Sequence, residues 1–274
     1  MPIITITRGL YSGGEGIAEA VAADLGARCV SGEVLIEAAK NYNIPESKIS
    51  QVFEKTPSFW ERMTESRRTY LAYIQATLAE WAAEGNLVYH GNAGQELLRE
   101  VPHVLKVRLL FPPAQRVRAI MEQFGQSREE AERYVQQIDE DRTRRMRYLF
   151  NQDWRDGSRY DLWIRMERIT PDHAKRIIVD VARQPEFTVT EDRQRVFHDF
   201  LLKCRIYALL ANVLVGRLSL ITVTVQDGVV TLEGTLTSHE TAIEQLVVEI
   251  EKLEGVKEVH NEIVVGLVYH EWNV

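Results

Sequence analysis

The sequence predicts an α/β protein: a parallel sheet with helices on both faces over residues 1–184, followed by a small α+β domain over residues 190–274. Three observations carry this. Short β-branched apolar runs alternate with helical patterns from Ile3 to about residue 184, the arrangement of a parallel sheet built from crossover units. Two of the strand-to-helix junctions, Arg8–Gly16 and Gly91–Gly94, are rich in glycine. Past the proline-containing stretch Gln184–Asp192 the alternation stops, and Asp227-Gly228 stands between two β-branched runs as a hairpin turn.

In chain order, Ile3–Thr7 reads as a buried strand and Ile17–Ala22 as the helix that follows it. Gly26–Val30 is a second short strand, and Ser31 is placed to cap a helix through Glu33, Leu35, Ile36 and Ala39. Asn41–Pro57 is polar, with Pro45 and Pro57 as breakers. Phe59–Glu84 has a long helical pattern carrying Trp60, Met63, Tyr70, Ile74, Leu78 and Trp81, with Arg62, Arg67 and Arg68 off that stripe. Leu87–His90 is a third strand and Val104–Phe111 a fourth, stopped by Pro112-Pro113. A helix spans Ala114–Phe124. Ser127-Arg128-Glu129-Glu130 is a capping box for the next. Tyr160–Ile164 is a fifth strand, and Thr170-Pro171-Asp172 opens a helix. Arg193–Val215 is helical, Leu220–Val225 and Val229–Glu233 form the hairpin, Thr237–Glu240 caps a helix to Leu253, and Val256–Val265 is the last strand.

The chain has 274 residues, 45% hydrophobic and 27% charged, as in a soluble globular protein. Its net charge of −7 argues against general nucleic-acid binding. Residues 191–274 carry 7 Lys and Arg against 13 Asp and Glu, so nearly all of the acidic excess is C-terminal. Cys29 and Cys204 have neither metal-ligand nor disulfide spacing and read as buried thiols. No signal-peptide pattern opens the sequence, and the longest apolar stretch, Ile206–Val215, is too short to span a membrane. A cytoplasmic protein is expected.

The chemistry gathers at two places. Gly9 and Gly14 have the spacing of the phosphate-binding motif G-x-x-x-x-G-K-[ST], but Glu15 stands at the lysine position and Gly16 at the Ser/Thr position. Strand, glycine loop and helix aim backbone N–H groups at a phosphate, and a ligand-free glycine turn is the other reading. Arg142, Arg144, Arg145 and Arg147 follow Asp139 and Asp141 on one helix. They could close over a polyphosphate, or form an ion-paired surface. His90 and Asp161 read as structural.

These residues resemble the cytidylate-kinase-like family of nucleoside monophosphate kinases. The matching pieces are Ile4-Thr5-Ile6-Thr7-Arg8, then Ser12-Gly13-Gly14 with Ile17-Ala18, then Asp141-Arg142, Asp153-Trp154 and Tyr160-Asp161-Leu162. Over about residues 1–184 the resemblance implies a five-stranded parallel sheet with a phosphate loop. It also implies a nucleoside-monophosphate region near 41–85 and a mobile arginine-bearing lid near 125–156. The activity implied is transfer of the γ-phosphoryl group of ATP, with Mg2+, to a nucleoside monophosphate such as CMP. Gly9, Ser12, Gly13, Gly14, Glu15 and Gly16 would form the nucleotide-binding loop, and Arg8, Arg142, Arg144 and Arg145 would neutralise transferring charge. No residue is singled out as a metal ligand. Three positions depart from the family: Glu15 replaces a basic residue, Gly91-Asn92-Ala93 replaces Gly-Arg-Gly, and Ile164-Arg165-Met166 replaces Ile-Asn-Thr. A carboxylate beside the phosphates opposes transfer. The rival reading is therefore a pseudokinase that binds nucleotide without turnover. A scaffold that binds none is the third.

Residues from about 190 to 268 resemble the BON domain, through Asp227–Gly234 and Gly255-Val256 with Val259, Asn261, Ile263 and Val265. The resemblance implies a binding module for a protein or lipid partner. Homo-oligomer formation stays open.

Overall fold

The computed structural model describes residues 2–54, 64–214, 217–236 and 240–266. Five strands, β1 (Ile3–Arg8), β2 (Arg28–Val30), β3 (Leu87–His90), β4 (Val104–Leu110) and β5 (Leu162–Arg165), form one sheet in the order β2-β3-β1-β4-β5. All four pairings are parallel. β1 lies at the centre, buried on both faces from Ile3 to Thr7, which is why it reads as a continuous β-branched run rather than an alternating one.

Helices α1 (Gly14–Leu25) and α8 (Pro171–Ala182) cover one face, closing a core around Ile4, Ile6, Val88, Leu105 and Ile178. On the other face Ile3, Leu87, Tyr89 and Val104 join a core shared with α4 (Thr64–Glu84) and α9 (Glu191–Val213). A short helix, α5 (Gly94–Leu97), follows β3, and two more, α6 (Pro113–Phe124) and α7 (Arg128–Phe150), pack on one another. Ser127 and Glu130 make both bonds of the predicted capping box, and Thr170 caps α8 with Pro171 in its first turn.

Three expectations are corrected. The polar stretch after Asn41 contains a helix, α3 (Glu46–Glu54), whose Ile49 and Val52, three residues apart, are fully buried; Pro45 precedes it, where a missing N–H costs nothing. Ser31 is not the cap of α2 (Glu33–Asn41). Gly32 holds that position, and Ser31 instead donates its N–H and hydroxyl to the Glu33 carboxylate at 2.7 and 3.0 Å. Cys204 is buried but Cys29 is only half-buried, its thiol pushed up to about 11 by burial and by Glu19, Glu33 and Glu15. Trp60, Arg62 and Met63 lie outside the described residues, as do the Arg67 side chain and Thr237–His239 of the expected capping box.

The second sheet has the order β6 (Ile221–Gln226), β7 (Val229–Leu236), β8 (Glu258–Val265), antiparallel then parallel, with α10 (Glu240–Glu251) crossing between β7 and β8. The hairpin turn falls at Asp227 and Gly228, with φ of 51° and 81°, the backbone that Asp-Gly favours. Helix α9 joins the two sheets. Arg205 holds Glu80 of α4 through two bonds at 2.5 and 2.8 Å, and the Tyr73 hydroxyl donates to Asn212 at 2.7 Å. On the other side Asp199 accepts from the N–H groups of Asp227 and Gly228 at 2.7 and 2.9 Å, and the Tyr207 hydroxyl accepts from Val223 N at 3.0 Å. Among the described residues no helix is long and apolar enough to cross a membrane.

His103 is buried edge-on to Phe197 of α9, ring centroids 5.7 Å apart, and burial pushes its imidazole down to about 4. The unfolded chain protonates this group near pH 6.5. Stability is therefore expected to fall as pH drops from that value towards the folded one. Between about pH 7.5 and pH 5 the wild type should lose more Tm than His103→Asn. Equal losses in the two would remove His103 as the cause.

Candidate functional site

The site lies at the carboxyl ends of β1 and β3, where open α/β sheets place ligands. β1 delivers Arg8 to the loop Gly9–Gly13. Gly13 is left-handed, φ 74°, and Gly14 begins α1. The first amides of α1 have no intrahelical partner and carry the positive end of its dipole. Ser12 is buried, and its hydroxyl lies 3.4 Å from Gly14 N. Gly14 lies close to its neighbours: a Cβ there would stand 2.8 Å from Arg8 Cδ and 3.2 Å from Phe111, so the Arg8 side chain would have to shift. Around Gly13 and Gly16 the space is open.

Arg8 has its Nη2 3.6 Å from the exposed Glu15 carboxylate and 3.5 Å from His90 Nδ1, and its buried Nε has no partner. Burial, then the Arg8 charge, holds the His90 imidazole below its ordinary value. Arg142 projects inward from α7. Its Nη1 donates to Arg8 O at 2.6 Å, its Nη2 to Gly91 O at 3.5 Å, and its Nε is buried without a partner. Among the described residues no carboxylate lies within ion-pair distance of it. Burial pushes the guanidinium down to about 10. Its face lies 4.2 Å from the Trp154 ring, against which Arg108 of β4 also lies, at 4.5 Å.

The other arginines of α7 diverge. Arg144 pairs with Asp141 at 2.5 Å on the exposed side, and Arg147 with Asp153 at 3.2 Å. Arg145 is half-buried, near enough for its charge to bear on Arg142. Asp161 accepts from Lys106 N at 2.8 Å, at the amino end of β5 and away from the loop. Arg8, Ser31, Leu35, His90, Asn92 and Arg142 line a cavity of about 200 Å³. A larger one, about 600 Å³, lies between α9 and the turns at Asp227-Gly228 and Gly255, but Arg195, Arg205 and Asp199 there are already engaged by Asp227, Glu80 and backbone amides. The unpaired buried guanidinium, not volume, marks the site.

No described group of three or more His, Cys, Asp or Glu could hold a metal ion, and Gly16 has no hydroxyl to offer one. The loop's features suit a phosphate: a left-handed Gly13, the unpartnered amides that open α1, and a buried Arg8 Nε left unsatisfied. Two contributors were not predicted from sequence. Arg108 sits within an apolar strand, a charge in a place that calls for explanation. Arg116 of α6 is buried beneath the loop and gave no such signal, since its helix reads as an ordinary amphipathic one.

A glycine-loop α/β domain with basic side chains converging on the loop belongs to the class of P-loop kinase-like domains. The profile of the cytidylate kinase-like family matches residues 3–168, and that of the BON domain matches residues 205–266. The chain belongs to the cytidylate kinase-like family and carries a C-terminal BON domain. Among solved structures, an uncharacterized protein from Eubacterium ventriosum ATCC 27560 is 20% identical with a TM-score of 0.51, over 66% of this chain and 97% of that one. Shikimate kinase from Bacteroides thetaiotaomicron is 12% identical with a TM-score of 0.42, over 67% and 99%. The first of these likenesses supports the fold over about two thirds of the chain. The search of curated proteins found no match.

Proposed function

We propose that residues 1–184 bind ATP on the loop formed by Gly9, Ser12, Gly13, Gly14, Glu15 and Gly16, and transfer its γ-phosphoryl group to a nucleoside monophosphate such as CMP in the adjoining cavity. Arg142 carries this reading. It is a buried charge with no carboxylate partner, open to that cavity. Such a charge costs several kcal/mol unless something compensates it, and an acceptor phosphate would. Arg8 and Arg145 add to the positive field, whereas Arg144, turned to the exposed side and paired with Asp141, could contribute only at longer range. Phosphoryl transfer needs positioning and charge neutralisation more than covalent help from the protein, and buried guanidiniums supply both. Magnesium, arriving on the nucleotide's phosphates, would neutralise further charge. We take residues 190–274 as a module that binds a protein or lipid partner, and the cytoplasm as the compartment.

The second reading, a pseudokinase, is favoured by Glu15, whose carboxylate already engages Arg8. Thermal unfolding with ATP, ADP, CMP and magnesium, beside a coupled transfer assay, separates the two. A ligand at about 100 times its Kd stabilises by roughly 2.7 kcal/mol. A shift with transfer to CMP supports the kinase, a shift without transfer the pseudokinase, and no shift at millimolar nucleotide ends both. Glu15→Lys is expected to tighten ATP binding about tenfold, since it removes a carboxylate and adds a cation worth about 1 kcal/mol at the loop. Unchanged affinity would show that Glu15 does not face the phosphates.

A further inference from the structure

We propose that Arg116 is a positioning residue that fixes the glycine loop in its phosphate-accepting shape. The consequence for nucleotide affinity rests on the reading above; the consequence for the loop does not.

Arg116 lies in the first turn of α6, almost fully buried. All three of its nitrogens are engaged. Nε donates to Leu10 O in the loop at 3.0 Å, while Nη1 and Nη2 donate to the two carboxylate oxygens of Asp139 at 2.7 and 2.8 Å. The guanidinium passes directly under Gly9, where a Cβ would stand 3.0 Å from Arg116 Nε. A Cβ at Gly9 would therefore push this guanidinium aside by a few tenths of an ångström. Asp139 is on α7, three residues before Arg142, which holds Arg8 O at 2.6 Å. One helix thus fixes the loop at two carbonyls, Arg8 directly and Leu10 through Arg116.

The residue between those carbonyls and Ser12 shows why a hold is needed. Tyr11 has φ 56°, a left-handed conformation that disfavours a non-glycine residue. It is kept there by edge contact with Phe124, ring centroids 5.6 Å apart, and by Tyr134 at 6.2 Å. Phe124 and Tyr134 lie on α6 and α7, the two helices that the Arg116–Asp139 pair joins. Fork geometry is essential. A lysine carries one point charge and cannot reach the Leu10 carbonyl and both Asp139 oxygens together.

The test uses the full chain with Arg116→Lys and Asp139→Asn. Amide hydrogen exchange is followed without ligand in the segment Gly9–Gly14 and in the interior of α1, and a fluorescent ATP analogue and CMP are titrated separately. We expect Arg116→Lys to speed exchange in Gly9–Gly14 about tenfold, with α1 and Tm little changed, and to weaken the ATP analogue about tenfold while CMP binding holds. Asp139→Asn should loosen the same segment and also lower Tm, since it leaves the buried Arg116 charge without its carboxylate. Unchanged loop exchange in both variants would overturn the proposal, as would equal acceleration in α1, which marks general destabilisation. If the wild type binds no nucleotide but Arg116→Lys still loosens the loop, the nucleotide-binding reading fails and the positioning role stands.

Discussion

Arg142→Ala is expected to lower phosphoryl transfer to CMP by on the order of 10²–10³, the usual effect of removing one preorganised charge-stabilising donor, and to weaken CMP binding by a similar factor. Melting temperature should fall little. The side chain leaves the carbonyls of Arg8 and Gly91 with one bond fewer, but its removal also relieves a buried positive charge that no carboxylate offsets. This separation of binding from stability distinguishes a ligand-binding arginine from a structural one, whose loss leaves a partner charge stranded and costs about 3–5 kcal/mol. Arg142→Lys should recover part of the binding, because it keeps the charge and loses the fork. Calorimetric titration with CMP beside a melting curve decides the matter. An Arg142→Ala protein that binds CMP like the wild type, or one that simply unfolds, removes Arg142 from the acceptor site.

Gly234→Ala is expected to be the most damaging small substitution in the C-terminal sheet. Gly234 has φ 149°, and a Cβ would stand 2.0 Å from Leu220 O, a backbone atom with no room to turn aside. It pairs with Ile221, the first residue of β6, so relieving the clash means breaking the β6–β7 ladder. We expect a loss of more than about 3 kcal/mol in urea unfolding. The loss should reach the kinase-like part, since α9 packs on both α4 and β6 and one core runs through all three. A loss below about 1 kcal/mol would show that the backbones do not approach so closely.

The glycine loop, the five strands and the capping box at Ser127 were legible because each is written in neighbouring residues: Gly13-Gly14 after a β-branched run, Pro112-Pro113 after Leu109-Leu110-Phe111, Ser127 three residues before Glu130. Helix α3 was not, because its apolar residues, Ile49, Val52 and Phe53, make one short cluster in a polar stretch and Pro45 beside it reads as a breaker. The arginine cluster was legible as a cluster and no further. Spacing alone shows that Arg142, Arg144, Arg145 and Arg147 face different ways, but not that Arg142 is the one turned inward.

The sequence by itself determined the class of the protein: a glycine-loop parallel α/β domain joined to a small α+β module, with the loop's lysine replaced by Glu15. These follow from local patterns of apolarity, glycine and charge, which act between residues a few positions apart. Only the tertiary structure decided which charges meet. Arg142 reaches the carbonyl of Arg8 and Asp139 holds Arg116 under Gly9, while Arg205 ties the BON-side helix to Glu80. Such pairings depend on where helices settle against the sheet, which is set by the packing of whole faces, and no pair of residues carries that information in its own sequence neighbourhood.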